Sequence, residues 1–334
     1  MTASGRCNMK IFVFFTFLAL TVAQKLPVRS IWQWPQYTFL ENLAVRQNGS
    51  ILTTRLDEPL LLEIDPFSGQ GPQLVHQFPE YLAVGGIVET EPDLFAVVSG
   101  NFSVLKLTSY AGTYAVWKVD YRCSKSGAPE ISKLTDIPQA AFLDGMTYVP
   151  SAKALFIADA QLGLIWRMDI QTGKYVVAVN NTLTQKCHAT DLEAVNGLKY
   201  FNSTLYWTNS GCGWFAKLPI DTNGNPNGTA SKIYSNSELS LDDFAIASSS
   251  GIAYLSASFI NQVVTIGPDG KLTSIAGGLN SSDVAQPTAL AFGRTSADLK
   301  KGTVYVTTAG AIGDPINGTT IVGAQLVAID TKST

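Results

Sequence analysis

The stretch EAVNGLKYFNSTLYWTNSG, from Glu193 to Gly211, decides how this chain is read. It is the composition of two short strands around a turn, and a polar pair, Asn196-Gly197, stands at its head. The same shape recurs as AFLDGMTYVPSAKALFIADA at 141–160 and as SLDDFAIASSSGIAYLSAS at 240–258. Aligning the chain on such heads gives six units. The first is FLENLAVRQNGSILTTRLDEPLLLEIDPFSG from Phe39, and the second is VGGIVETEPDLFAVVSGNFSVLKL from Val84. The third, fourth and fifth open at Asp144-Gly145, Asn196-Gly197 and Asp242-Asp243, and the sixth is QPTALAFGRTSADLKKGTVYVTTAG from Gln286. The heads lie roughly 44 to 58 residues apart, the period of a propeller blade.

Each unit continues through a second strand to a third, such as PLLLEIDP, GLIWRMDI, WFAKLPID, NQVVTIGP and AQLVAID. The strands are rich in Val, Ile, Leu, Tyr, Phe and Thr, and no segment has a sustained helical period. Six units of four short strands predict an all-β chain folded as one six-bladed β-propeller over residues 24–334. The sixth unit has only three strands before the chain stops. VRSIWQWP near the N-terminus is expected to supply the fourth and to close the ring, removing a free sheet edge. In this architecture the first strand of each blade lines a central channel. All six heads, and the loops after LTTR, VVSG, IADA, WTNS, LSAS and VTTAG, then converge on one mouth. Taken singly, Asp-Gly and Asn-Gly are turn residues. Recurring in phase at one end of one strand, they predict a ring of carboxylates and amides facing a pocket.

Bulk composition narrows the function. Arg6 and Lys10 precede the 13-residue apolar run IFVFFTFLALTVA, which reads as a secretory signal over residues 1–23, too short to span a bilayer as a helix. Without those two bases the chain has 21 basic and 26 acidic residues, a net charge near −5, with no basic cluster. Nucleic-acid binding needs a positive field and is not expected, nor is membrane association after signal cleavage. Only 15% of residues are charged, so the surface must be polar by other means. Seven Asn-x-Ser/Thr sequons, at Asn48, Asn101, Asn180, Asn202, Asn227, Asn280 and Asn317, read as glycosylation acceptors on surface turns. Cys7 leaves with the signal. Cys123, Cys187 and Cys212 allow one disulfide in three pairings, of which Cys187–Cys212 is favoured because both flank one repeat; three buried thiols are the alternative.

Common catalytic signatures are absent from the sequence: no Gly-x-Ser-x-Gly, His-Glu-x-x-His, phosphate-binding loop or Cys-x-x-Cys. His76 falls in an outer strand and reads as structural. His188, in KCHATDLEAVNG, precedes a channel strand on the mouth side and is a candidate acid or base, or a surface histidine without a role. Glu41, Asn196 and Asp242 head units one, four and five. Two carboxylates and an amide are oxygen ligands suited to Ca²⁺ or Mg²⁺; without a metal, such carboxyls would carry raised pKa values.

The chain resembles the SMP-30/gluconolactonase/LRE-like superfamily of six-bladed propellers over nearly all its length beyond the signal. LENLAV, VNGLKY and LDDFAI sit where that family places a metal-binding Glu, Asn and Asp, which implies Glu41, Asn196 and Asp242 as metal positions. Lactonases of the family carry an Asn directly before the Asp-Gly of the third unit. Here FLDGM has Leu143 beside Asp144, an apolar residue at a substrate contact, which argues against sugar-lactone hydrolysis. Within the superfamily, IWQWP followed by TFLENLAVRQNGSILTTRLDEPLLLEIDP resembles the fungal hetero-Diels–Alderases of tropolone–sesquiterpenoid biosynthesis. That resemblance implies a secreted pericyclase joining a tropolone-derived quinone methide to a humulene-type alkene. It requires no cofactor for the cyclisation and acts on small hydrophobic substrates. Such a step needs an apolar cleft and donors aimed at a developing oxyanion. The candidate walls are Leu143, Trp207, Trp214, Phe215 and Phe259, and the candidate donors are Arg55, His188, Asn209 and Ser256. A metal-dependent lactonase and a non-catalytic binding propeller remain the alternatives.

Overall fold

The structure is a computed structural model that describes residues 25–122 and 127–332. The expected signal segment and Cys123 lie outside the described residues. Six four-stranded antiparallel sheets form six blades around a channel. Their inner strands are Leu40–Val45, Ala83–Glu91, Leu143–Val149, Val195–Phe201, Leu241–Ile246 and Pro287–Phe292. The first five blades are consecutive in sequence. The sixth runs Pro287–Phe292, Thr303–Thr308 and Gly323–Asp330, with Val28–Gln36 as its outermost strand, antiparallel to Gly323–Asp330. The N-terminal segment thus closes the ring as expected.

Each blade junction has its own apolar core. Leu143, Met146 and Leu155 of the third blade pack on Ala83 and Val98 of the second. Trp207 and Leu198 of the fourth pack on Phe156 and Val149 of the third, and Leu40 and Ile51 of the first pack on Tyr305 and Leu326 of the sixth. Two elements depart from the sequence reading. A six-residue α-helix, Ser296–Lys301, lies between the first two strands of the sixth blade, closed at its start by a Thr295/Asp298 capping box. It is too short for a helical period to register. A two-stranded ribbon, Phe102–Ser103 with Thr108–Ser109, is inserted in the second blade on the mouth side.

The polar heads are not turns. Asp144-Gly145 and Asn196-Gly197 lie inside strands, and in every blade the ladder between inner and second strand slips at the head: between Leu40 and Leu43, Val84 and Ile87, Leu143 and Met146, Val195 and Leu198, Leu241 and Phe244, and Pro287 and Leu290. A bulge leaves a backbone N–H without its ladder partner. Hydroxyls on the second strand take it up: Thr54 Oγ1 accepts from Asn42 N, Thr208 Oγ1 from Gly197 N and Thr307 Oγ1 from Ala289 N. The glycines answer to packing. A Cβ on Gly86 would stand 2.2 Å from Asp144 O, one on Gly145 2.5 Å from Asn196 O, and one on Gly197 2.6 Å from Asp243 Oδ1. At these three positions the inner strands approach too closely for any residue but glycine.

Ring closure depends on a similar approach. A Cβ on Gly323 would lie 1.8 Å from the carbonyl of Trp34 in the closing strand. Gly323→Val is therefore expected to undock Val28–Gln36 and expose the edge of Gly323–Asp330. A steric cost of about 3 kcal/mol corresponds to a Tm loss of roughly 5 °C in a chain of this size. Thermal melting with size-exclusion chromatography checks it; an unchanged Tm and a clean monomer would exclude this role for the strand.

Candidate functional site at the channel mouth

Beneath the mouth the heads bring Glu41, Asp144, Asn196 and Asp242 together, with Glu193 reaching in from the segment before the fourth blade. Glu41, Asp144 and Asn196 are buried, and Asp242 and Glu193 are partly so. The Glu41 and Asp144 carboxyls hydrogen bond each other. Asn196 Nδ2 donates to Glu193 Oε2 at 3.1 Å, and Ser258 Oγ donates to Asp242 Oδ2 at 3.2 Å. Above them a cleft of about 310 Å³ opens between Asp191–Glu193, Ser210-Gly211, Ser237–Ser240 and Phe259. Below them the channel is blocked. The Asp243 carboxylate accepts from Phe244 N at 2.7 Å, from Asn42 Nδ2 at 2.9 Å and from Lys199 Nζ at 2.6 Å to each oxygen.

Four carboxyls in one desolvated space cannot all ionise at ordinary pH. Burial, reinforced by Asp144, Asp242 and Glu193, pushes Glu41 well above the usual carboxylate range. Burial also raises Asp144, with Glu193 and Asp243 adding to the rise and the Glu41 hydrogen bond opposing it. Asp242 is raised by burial and by Glu193, Asp144 and Asp243. Glu193 is raised by burial, partly offset by hydrogen bonds from Asn196 and Ser210.

One atom in this cluster has no use within the protein. Asn196 Oδ1 is buried and receives no hydrogen bond. An acceptor without a donor, beside carboxyls that repel one another, suits a hard cation. Glu41, Asn196 and Asp242 are the residues that would hold one. Among the described residues no three His, Cys, Asp or Glu side chains are grouped as a metal site by themselves, so the amide is needed to complete the set.

The predicted site residues separate clearly. Leu143 is 1% exposed and belongs to the core between the second and third blades, so it is not a cleft wall. Trp207 and Phe215 are likewise core residues. Asn209 is fully buried, and its amide is spent on the loop before the fourth blade: Nδ2 donates to Leu183 O and Gln185 O, and Oδ1 accepts from Cys212 N. Trp207 Nε1 also donates to Leu183 O. These two residues fix the loop that carries Glu193, and neither offers a donor to a substrate. The same loop is pinned by the Cys187–Cys212 disulfide, the favoured pairing. Arg55 is at the rim but committed to Asp57 and Glu58. Ser256 is buried opposite the Asp242-Asp243 bulge, its hydroxyl unpartnered. His188 is exposed and does not line the cleft. Trp214 starts the third strand of its blade, under Lys232 Nζ at 4.2 Å, away from the channel. Phe259, 46% exposed, is the candidate wall that does line the cleft. His76 packs edge-on against Phe78 in an outer strand, as expected.

Sequence reasoning missed Glu193, which lies outside any strand and carries no periodic signal. It also missed Asn42 and Lys199, and it named Asp243 only as half of a head pair. Lys199 had a signal, a lysine among the apolar residues that follow the head of a channel strand. The mouth is also rimmed by apolar groups. Nine of the fourteen exposed large apolar side chains among the described residues stand on mouth-side connections: Tyr37, Leu82, Leu105, Leu107, Tyr110, Leu162, Leu192, Phe259 and Leu279.

No protein-family model matches the chain. A Sarocladium schorii protein provisionally named a hetero-Diels–Alderase is 27% identical over 319 residues, covering 82% of this chain and 76% of that protein. A second protein of that provisional name, from a Phoma species, is 26% identical over 311 residues, covering 84% and 86%. Its sequence relatives are hetero-Diels–Alderases by name. Among solved structures, the calcium-binding regucalcin of Agrobacterium tumefaciens matches with a TM-score of 0.64 at 15% identity, over 92% of this chain and 96% of that one. A gluconolactonase of Xanthomonas campestris matches with a TM-score of 0.60 at 11% identity, over 94% and 93%. The expected resemblance holds on both counts, the second being one of fold.

Because the folded state holds the mouth protons more tightly than the unfolded chain does, ionising these carboxyls costs no stability below the ordinary carboxylate range near 4. The cost grows as pH rises above it. Asp144→Asn removes one of the repelled charges. In the presence of chelator it is expected to raise Tm by roughly 3 °C at pH 7.5, with a smaller gain at pH 4.5. Melting curves of both proteins at the two pH values check this; equal gains, or a loss at pH 7.5, would contradict it.

Proposed function

We propose that the protein is a secreted hetero-Diels–Alderase that joins a tropolone-derived quinone methide to a humulene-type sesquiterpene. The observation that carries this reading is the similarity to two proteins named for that activity, over more than four-fifths of the chain. The hydroxymethyl tropolone loses its hydroxyl and a ring-oxygen proton as water. The exocyclic methylene then bonds to one alkene carbon and the heterodiene oxygen to the other, closing a dihydropyran with no atom lost. Such a step asks for orientation and one well-placed donor, not for a general acid and base. No predicted acid or base is free at the mouth: Arg55 and Asn209 are engaged elsewhere and His188 stands outside the cleft. The apolar rim suits hydrophobic substrates.

Purified protein incubated with both partners is expected to give one enantiomer of adduct above background, resolved by chiral chromatography. Racemic adduct at the background rate would overturn the reading. A metal-dependent lactonase is the second reading, favoured by the unpartnered Asn196 Oδ1 among carboxyls. A cation held there would supply Lewis-acid activation of a lactone carbonyl. On this reading, lactone turnover would be abolished by chelation and by Asp242→Asn; cyclisation is expected to survive chelation.

Secretion is part of the proposal. A disulfide and seven sequons, six with exposed Asn, support passage through an oxidising compartment. Enzymatic removal of N-glycans is expected to lower the mass of the secreted protein; an unchanged mass would remove the glycoprotein assignment.

A further inference from the structure

At the end of the channel opposite the mouth lies a second concavity of about 300 Å³, and all six inner strands contribute to it. Its walls are apolar: Leu43, Ile87, Met146, Ile246, Leu290 and Phe292, one from each inner strand except the fourth and two from the sixth. The fourth strand contributes Lys199, Tyr200 and Phe201. Two charged side chains line the chamber, and one of them is engaged at the rim, where Glu89 Oε2 accepts from Arg294 Nη1 at 2.5 Å. The other is Lys199. Its ammonium lies 2.6 Å from each Asp243 oxygen and 5.5 Å from the centre of the Phe244 ring. An ammonium has three donors, and Asp243 accounts for two. Asp243 is itself held by Asn42 Nδ2 and Phe244 N, so the cation is fixed from behind.

We propose that this chamber, and not the acidic mouth, binds the oxygenated ring of the substrate, with Lys199 Nζ donating to its carbonyl or oxyanion oxygen. The ligand class follows from the walls: a compact, largely apolar ring that carries acceptor oxygen at one edge, as tropolone does with its adjacent carbonyl and hydroxyl. The mouth is unsuited to an oxyanion, since its cleft is lined by Asp191, Glu193 and Glu238. Resting on the cyclisation reading above, the inference makes Lys199 a catalytic residue. As the carbon–carbon bond leads, negative charge gathers on the heterodiene oxygen, and a fixed ammonium there lowers the barrier. The oxygen then bonds to the second alkene carbon, and Lys199 keeps its proton throughout.

Tropolone itself is the probe, with binding followed by calorimetry and turnover by the chiral assay. Lys199→Met is expected to weaken tropolone binding about tenfold or more, the worth of one charge-assisted hydrogen bond. Lys199→Arg should restore part of it. Lys199→Met leaves Asp243 without its cation and could fail to fold, so Ile246→Trp, at the partly exposed wall, blocks the chamber independently and is expected to abolish binding. In turnover, Lys199→Arg should lower kcat more than it raises KM. Tropolone binding unchanged in Ile246→Trp, or lost in Phe259→Ala at the mouth, would overturn the proposal. Stereoselective turnover that survives both Lys199→Met and Ile246→Trp would also overturn it while leaving the cyclisation reading intact. Chamber-dependent tropolone binding without any adduct would uphold the site and remove that reading.

Discussion

The close approach of neighbouring inner strands from the second blade to the fifth, near one end of the channel, is the constraint from which much of the rest follows. Where Gly86 faces Asp144 O and Gly145 faces Asn196 O, there is no room for a Cβ, so successive blades meet backbone to backbone. Strands that converge this tightly cannot keep a regular ladder to their neighbours, and each slips by a bulge at the same height. The bulge turns a polar side chain toward the axis and frees an N–H, which the Thr hydroxyls of the second strands take up. Polar heads in an apolar chain are therefore what a narrow propeller axis requires before any function is asked of it.

That geometry sets the electrostatics. Polar groups forced together at the axis without water raise one another's proton affinity, and the cluster of Glu41, Asp144, Glu193 and Asp242 shows this. One further carboxylate, Asp243, is paired with Lys199. The pair does two things at once. It ends the acidic zone, and it presents a cation to an apolar chamber below. A propeller channel is usually read from one mouth; here the ion pair divides it into two compartments of opposite character.

The fold was legible because its signals repeat. Six heads in phase, third strands of matching composition and a last unit one strand short lead to the ring and its closure without tertiary information. The junction cores follow from the same alternation. The site was legible only in part, for reasons that can be named. The heads Glu41, Asp144, Asn196 and Asp242 are brought together because ring closure brings all heads together. Residue type and nearness to the heads in sequence point to the wall and donor residues, but Leu143, Trp207, Phe215 and Asn209 face the blade junctions or the loop scaffold. Alternation within a strand gives two faces, but a bulge reverses their assignment at the positions where the choice mattered. Asp243 lies within such a bulge and Lys199 just past one. Glu193 lies in a loop held by a disulfide and by two buried side chains, which no local pattern encodes.

The two compartments also bear on how one scaffold can host unlike chemistries. Hydrolysis at the mouth would use what the axis supplies there, oxygen ligands and raised carboxyls, and the fold neighbours include a gluconolactonase. Cyclisation needs none of that set. It needs apolar walls, which inner strands offer wherever their side chains are Leu, Ile, Met or Phe, and one donor that does not move. Lys199 is such a donor because its partner is buried: an ammonium paired at the surface would exchange partners with water, whereas Asp243, held by Asn42 and Phe244, leaves it little freedom. If a cation occupied Glu41, Asn196 and Asp242 in the same molecule, it would relieve repulsion at the mouth, while the Asp243–Lys199 pair would still stand between it and the chamber. A propeller could in this way keep an inherited oxygen-lined site as part of its framework while its chemistry moved to the other end of the channel.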